Sequence, residues 1–225
     1  MQALVVDGDR RVEVREVPMP ARSGECLVRV TLAGVCATDL HILRGYADYT
    51  GIPGHEFVGV VEEAPAGHDQ WRGLRVVGEI NVGCGRCAWC GRGEKEHCPE
   101  RTVLGIKQRD GAFAQFLTLP VTNLHEVPAA LDDHVAVFTE PVAAACRILE
   151  QVVLGSNTQV AVIGDGRMGL LTAQVLRSAG AQTLVIGRHE EKLAIARGLG
   201  LDAIAHTARP VPGKGRFDVV VEVSG

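Results

Sequence analysis

Residues 158–169 read TQVAVIGDGRMG, an apolar run that breaks on glycines and resumes as RMGLLTAQVLRSAG over 167–180. QVAVI has the length and β-branched content of a buried strand, and RMGLLTAQVL spaces its apolar residues as a helix does. Between them Gly164, Gly166 and Gly169 form GxGxxG. That motif is weak alone and telling where a strand feeds a helix. In that setting the first glycine makes the tight turn, and the second admits a pyrophosphate against the backbone. The third lets helix pack on strand. Free N–H groups at the helix N-terminus then face the phosphates. A glycine-rich turn without a ligand is the competing reading, and the flanking strand and helix favour the dinucleotide site.

Downstream the alternation continues. AQTLVIG (181–187) reads as a strand, HEEKLAIARGLG (189–200) as a helix, and DAIAH (202–206) and FDVVVEV (217–223) as strands. This order predicts a parallel sheet with crossover helices. RPVPGKGR (209–216) reads as a surface loop. An acidic residue about 20 positions past the glycines usually accepts a hydrogen bond from the adenosine ribose 2′-hydroxyl and selects NAD. Here the strand closes on Gly187 and Arg188, and no carboxylate follows until Glu190. Gly187 leaves space with no opposing negative charge, Arg188 offers a planar donor fork suited to phosphate, and His189 can add a donor. These residues predict NADP in preference to NAD.

Upstream the pattern differs. Through about residue 125, short Val- and Leu-rich strands broken by turn residues dominate, with one helix expected at ATDLHILRG (37–45), capped by Thr38 or Asp39 and ended by Gly45. Residues 132–152 read as helical, with Pro141 marking a new start. The predicted domains are 1–140 and 141–225.

Two constellations of donors lie in the first part. Cys84, Cys87, Cys90 and Cys98 fall within fifteen residues. Four thiolates satisfy tetrahedral zinc, and with no ligand position left open the site is expected to be structural. An iron–sulfur cluster is a weaker alternative. Cys36, His55 and Glu140 are scattered, but together they supply a thiolate, an imidazole and a carboxylate, a set that leaves a fourth position for chemistry. Cys26 and Cys146 read as packing residues.

Composition fits this picture. Of 225 residues, 46% are hydrophobic and 22% charged, with a net charge of −4, which argues against nucleic acid or an anionic membrane as partner. No apolar run reaches the ~18–20 residues of a membrane span. No signal peptide is evident, and a cytoplasmic location is expected. Seven cysteines, an odd number, speak against a disulfide framework.

The segments GVCATDLH, GHEFVG, GCGRCAWCGRGEKEHC, FTEPVA and VIGDGRMG, in this order, resemble the zinc-dependent medium-chain dehydrogenase/reductase family of alcohol and polyol dehydrogenases. The resemblance implies a partly β-barrel, GroES-like catalytic domain followed by a Rossmann cofactor domain, an α/β architecture with the active site in the cleft between them. It implies that Cys36, His55 and Glu140 are catalytic-zinc ligands, with Glu56 able to approach the metal when ligands exchange. Asp39 matches a partner of the ligand histidine. Thr38 and His41 match the hydroxyl and imidazole of a proton relay. The implied reaction moves hydride between a nicotinamide cofactor and a small alcohol or carbonyl substrate. The complete protein is expected to be a homodimer or homotetramer.

One departure stands out. A Rossmann sheet orders its strands 3-2-1-4-5-6, and only four are legible before Gly225. The expectation is an N-terminal portion of a longer enzyme, silent or nearly so by itself. The alternative is a non-enzymatic zinc- and nucleotide-binding member of the family.

Overall fold

Alternating Val and Leu give the first 126 residues ten strands, and the computed structural model describes residues 1–21, 23–207 and 215–224. Residues 209–214 of the expected RPVPGKGR loop therefore lie outside the described residues. In chain order the strands begin with β1 (Gln2–Val6), β2 (Val12–Glu16), β3 (Cys26–Gly34), β4 (Glu56–Glu63) and β5 (Arg75–Gly78). They continue with β6 (Asn81–Val82), β7 (Thr102–Leu104), β8 (Gln108–Arg109), β9 (Phe116–Leu119) and β10 (Leu124–Glu126). The stretches MQALVVDG, RVEVREV, ECLVRVTLAGV, FVGVVEEA, LRVVGEINV and FAQFLTL read as strands in the sequence and correspond to β1 to β6 and β9, with LRVVGEINV dividing into β5 and β6; β7, β8 and β10 lie outside them.

Five strands pair antiparallel in the order β10-β5-β4-β3-β9. The β3–β4 ladder shifts register between Leu27 and Val28 and again between Val30 and Leu32. Such irregularities add twist and curl the sheet. Its inner face buries Val28, Phe57, Val61, Val76, Leu117 and Leu119, with Leu104 of β7 packed in the same cluster. Each such side chain contributes about 1.5–3 kcal/mol relative to exposure. Cys26 is fully buried among them, as a packing residue.

The chain divides into two compact units, Met1–Glu140 and Pro141–Gly225. Among its described residues the first carries the α-helices α1 (Ala37–Ile42), α2 (Ala88–Gly91) and α3 (Asp133–Ala136). The segment expected to be helical over 132–152, with a new start at Pro141, forms α3, α4 (Thr139–Cys146) and α5 (Ile148–Gln151). α4 starts two residues before Pro141, which falls in the first turn, where a missing N–H costs nothing.

The second unit holds β11 (Gln159–Ile163), α6 (Arg167–Ser178), β12 (Gln182–Gly187), α7 (Glu190–Gly198), β13 (Asp202–Ala205) and β14 (Val219–Glu222). Its four strands among the described residues are all parallel, in the order β13-β12-β11-β14. β11 is central, and the strand order turns around it, which places the loop after β11 at the ligand-binding end of the sheet. Val160, Val162, Val185, Ala173, Leu176 and Leu193 pack the sheet against its helices. Among the described residues no helix is long and apolar enough to cross a membrane.

Candidate functional site

The first unit brings Cys36, His55 and Glu56 together: one donor atom from each lies within 4.8 Å of the others. Cys36 is the N-cap of α1, not Thr38 or Asp39. Asp39, at the third helical position, reaches back to accept the Cys36 amide at 2.8 Å. That hydrogen bond fixes the turn carrying the thiol. α1 ends at Ile42, and Gly45 follows in the left-handed conformation rather than closing the helix. Glu56 begins β4 and His55 immediately precedes it, and the two residues are 1% and 3% exposed. Gly34 is required opposite them, because a β-carbon there would collide with the Glu56 carboxylate.

Asp39 ties the two segments together. Its Oδ1 accepts the Gly54 amide at 3.3 Å and lies 3.4 Å from His55 Nδ1. The imidazole contact is too long and poorly directed for a full hydrogen bond, so Nδ1 is a buried nitrogen without a well-formed partner. Burial would lower the pKa of His55, but Asp39, Cys36 and the charge of Glu140 outweigh it and raise it to about 10. A metal at this cluster must displace that proton. Burial also pushes the Cys36 thiol up, and hydrogen bonds to His55 and Thr38 overcome it, so the thiol lies below its ordinary value. The Thr38 Oγ1 is 3.6 Å from Cys36 Sγ. His41 stands exposed one helical turn further on. Glu140 is not one of the three clustered donors; it acts on His55 through its charge.

The second cluster is made of thiols alone. Cys84, Cys87, Cys90 and Cys98 bring their sulfurs within 4.8 Å of one another. Zinc with ~2.3 Å bonds holds its sulfurs about 4 Å apart, so the set fits that ion. Cys98 is buried, and its sulfur accepts the Cys84 amide at 3.4 Å. Gly85 takes a left-handed φ of 74°, and a β-carbon on Gly83 would stand 2.6 Å from Cys90 Sγ. Backbone amides of Arg86 and Cys87 hold the Cys84 thiol below its ordinary pKa against some burial.

In the second unit the three glycines differ in kind. Gly164 has φ +130°, and a β-carbon there would meet the Val223 carbonyl at 2.6 Å. Gly169 has no room because the Gly164 carbonyl sits against it. Gly166, the N-cap of α6, has nothing within 4 Å and leaves its backbone open to a ligand. Gly187 is a different matter. The space expected there is filled by the Asp165 carboxylate: a β-carbon on Gly187 would lie 2.5 Å from Asp165 Oδ2. The expectation of a site without nearby negative charge is therefore corrected. Asp165 Oδ2 accepts the amides of Arg188 and His189 at 2.6 Å each, and His189 Nδ1 approaches Oδ1 at 3.0 Å. Burial alone would raise the Asp165 carboxyl, but these hydrogen bonds hold it down at about 2. Asp165 was not singled out from the sequence; the one sign of it was a charged residue placed between two glycines.

The model of the alcohol dehydrogenase GroES-like domain matches residues 22–129. A model described as an FAD binding domain matches residues 157–205, the stretch from β11 to β13. FAD and NAD(P) share an adenosine diphosphate, so that likeness concerns the dinucleotide fold and does not choose the cofactor. L-threonine 3-dehydrogenase of Streptomyces coelicolor is 37% identical over 246 residues, covering 100% of this chain and 70% of its own. A Sinorhizobium meliloti 1021 protein solved bound to NADP superposes with a TM-score of 0.90 at 32% identity, covering 100% of this chain and 70% of that one. An alcohol dehydrogenase of Escherichia coli CFT073 complexed with NADH superposes with a TM-score of 0.85 at 32% identity, covering 93% and 64%. The chain thus spans about two-thirds of the length of the relatives it matches. With a GroES-like sheet that gathers Cys36, His55 and Glu56, a glycine loop opening α6, and relatives of this identity along its whole length, the chain belongs to the medium-chain dehydrogenase/reductase family.

Proposed function

We propose that the protein is an oxidoreductase that moves hydride between a small alcohol or polyol and a nicotinamide cofactor, using one catalytic and one structural zinc. The observation that carries the reading is the cluster of Cys36, His55 and Glu56 with the Asp39 carboxylate behind the imidazole. A protein that only bound zinc and nucleotide would need no mixed-donor cluster in addition to four thiols. The donors suit zinc: a thiol already lowered, a buried imidazole held between Asp39 and Cys36, and carboxylates at hand. Cys36, His55 and Glu140 hold the catalytic ion in this reading, and Glu56 exchanges with them. Cys84, Cys87, Cys90 and Cys98 hold the structural one.

Zinc in such a set supplies a Lewis acid for the substrate oxygen. The chain's residues do the rest. Asp39 orients His55 and fixes the Cys36 turn, as partners behind metal ligands do. Thr38 takes the substrate's hydroxyl proton, and the exposed His41 passes it to water. Gly164, Gly166 and Gly169 receive the cofactor pyrophosphate at the start of α6. The exposed Arg188 supports NADP over NAD by offering its fork to a 2′-phosphate.

The test is turnover by the full-length protein. Its zinc content is measured, and a panel of alcohols, vicinal diols, polyols and hydroxy amino acids is offered with NADP and NAD, following the reduced cofactor's absorbance. Two zinc ions per chain and turnover of at least one alcohol class are expected. Zinc and nucleotide binding with no hydride transfer across the panel would replace this reading by that of a binding scaffold.

A further inference from the structure

β12 closes on Gly187, so the strand-end carboxylate that selects NAD is absent. The volume is filled from the other side of the site, by the side chain between the first two glycines. A β-carbon on Gly187 would lie 2.5 Å from both Cβ and Oδ2 of Asp165. Glycine at 187 is thus the complement of aspartate at 165. The residue is 7% exposed, and its two oxygens take the Arg188 amide, the His189 amide and the His189 ring. A carboxylate so engaged has little capacity left for a ribose hydroxyl. Its charge is hydrogen-bonded where it sits. The positive charge that meets solvent at this corner belongs to Arg188, which is exposed, while the His189 side chain is 44% exposed. His189 spends Nδ1 on Asp165, which leaves Nε2 as its outward nitrogen.

We propose that Asp165 is a positioning residue for cofactor discrimination: by clamping the Arg188 and His189 amides across Gly187, it presents Arg188 and His189 to a 2′-phosphate and so favours NADP. The inference rests on the reading of this unit as a nicotinamide dinucleotide site. It differs from a simple charge effect in sign. A bare carboxylate near the ribose opposes a phosphate, whereas a buried clamp behind two donors supports one.

The test is equilibrium binding by calorimetry, with NADP, NAD, 2′,5′-ADP and ADP as ligands. The full-length parent is compared with Asp165→Asn, Arg188→Ala and the double variant. Asp165→Asn is expected to weaken NADP and 2′,5′-ADP about 10-fold while NAD and ADP move less than about 2-fold. Arg188→Ala should do the same, and the double variant should be little worse than either, because both act through one contact. Asp165→Ala repeats the test without placing an amide NH₂ against two N–H groups, in case the asparagine misfolds. Tighter NADP binding by either Asp165 variant overturns the clamp in favour of charge repulsion. Equal losses for NADP and NAD, or strictly additive losses in the double variant, overturn it in favour of plain support of the glycine loop. A parent that binds none of the four ligands takes down the dinucleotide reading itself, and the clamp with it.

Discussion

Asp39 in the first unit and Asp165 in the second are both buried, and each joins a histidine to backbone distant in sequence. Asp39 accepts the amides of Cys36 and Gly54 and faces His55 Nδ1 at 3.4 Å. Asp165 accepts the amides of Arg188 and His189 and faces His189 Nδ1 at 3.0 Å. The difference lies in the histidine. His55 is 3% exposed, and the His189 side chain is 44% exposed. A buried imidazole fixed from behind has its second nitrogen aimed at other buried donors, which suits a metal ligand. A half-exposed one turns its second nitrogen to solvent, where a ligand can meet it. In the proposed reading, the same carboxylate arrangement therefore serves a metal site in one unit and a nucleotide site in the other.

The largest expected effect separates the mixed cluster from the thiol cluster. Cys36→Ser should lose one zinc per chain and lower kcat/KM by roughly 10³-fold or more, with the thermal transition nearly unmoved. Cys87→Ser should lose the other zinc and chiefly lower the transition temperature, since a structural zinc contributes directly to folding. Mild chelation should empty the mixed cluster first. Metal analysis beside thermal melts checks all three. If both variants keep two zinc ions, neither assignment stands.

A smaller effect is expected at Asp39. Asp39→Asn retains the size of the side chain but removes the charge behind His55. Partners of this kind are worth roughly 10–100-fold in metal affinity or activity. Zinc affinity measured by competition with a chromogenic chelator should fall in that range while the thiol cluster stays loaded. Unchanged affinity would make Asp39 a helix-capping residue only and would end the analogy with Asp165.

The two units were legible to different degrees. The four thiols were readable because a metal loop is local, with all donors inside fifteen residues. The βαβ order of the second unit was readable because five-residue apolar strands and a twelve-residue helix are long enough to show their periods. The strands β7, β8 and β10, of two or three residues, show no period and were missed. Cys36 lies 19 positions from His55 and 104 from Glu140, and donor chemistry and family resemblance rather than spacing joined those three. Resemblance set Glu140 ahead of Glu56 as a ligand, whereas the carboxylate packed within the cluster is that of Glu56. Asp165 was invisible because its role depends on a missing side chain 22 positions away, at Gly187. A local reading sees an open corner there, and only the fold fills it.

The smallest expected effect is on stability, and it tests whether Asp165 is bound as firmly as its contacts indicate. Its carboxyl is held at about 2, below the ordinary 3.8, by His189 and the two amides acting against burial. A lowered folded-state pKa contributes stability that is present above the unfolded value and is lost as pH falls through the folded one. The contribution should therefore be complete above about pH 4 and fade toward pH 2. A drop from 3.8 to about 2 corresponds to about 2.4 kcal/mol. Asp165→Asn should lower the unfolding free energy by that amount near pH 7, and the gap between variant and parent should narrow as the solution is acidified below about pH 4. Urea unfolding of both proteins at several pH values measures it. A gap that stays constant down to about pH 3 and below would mean that packing against Gly187, not the ionised carboxylate, holds the turn, and the parallel with Asp39 would then be one of shape alone.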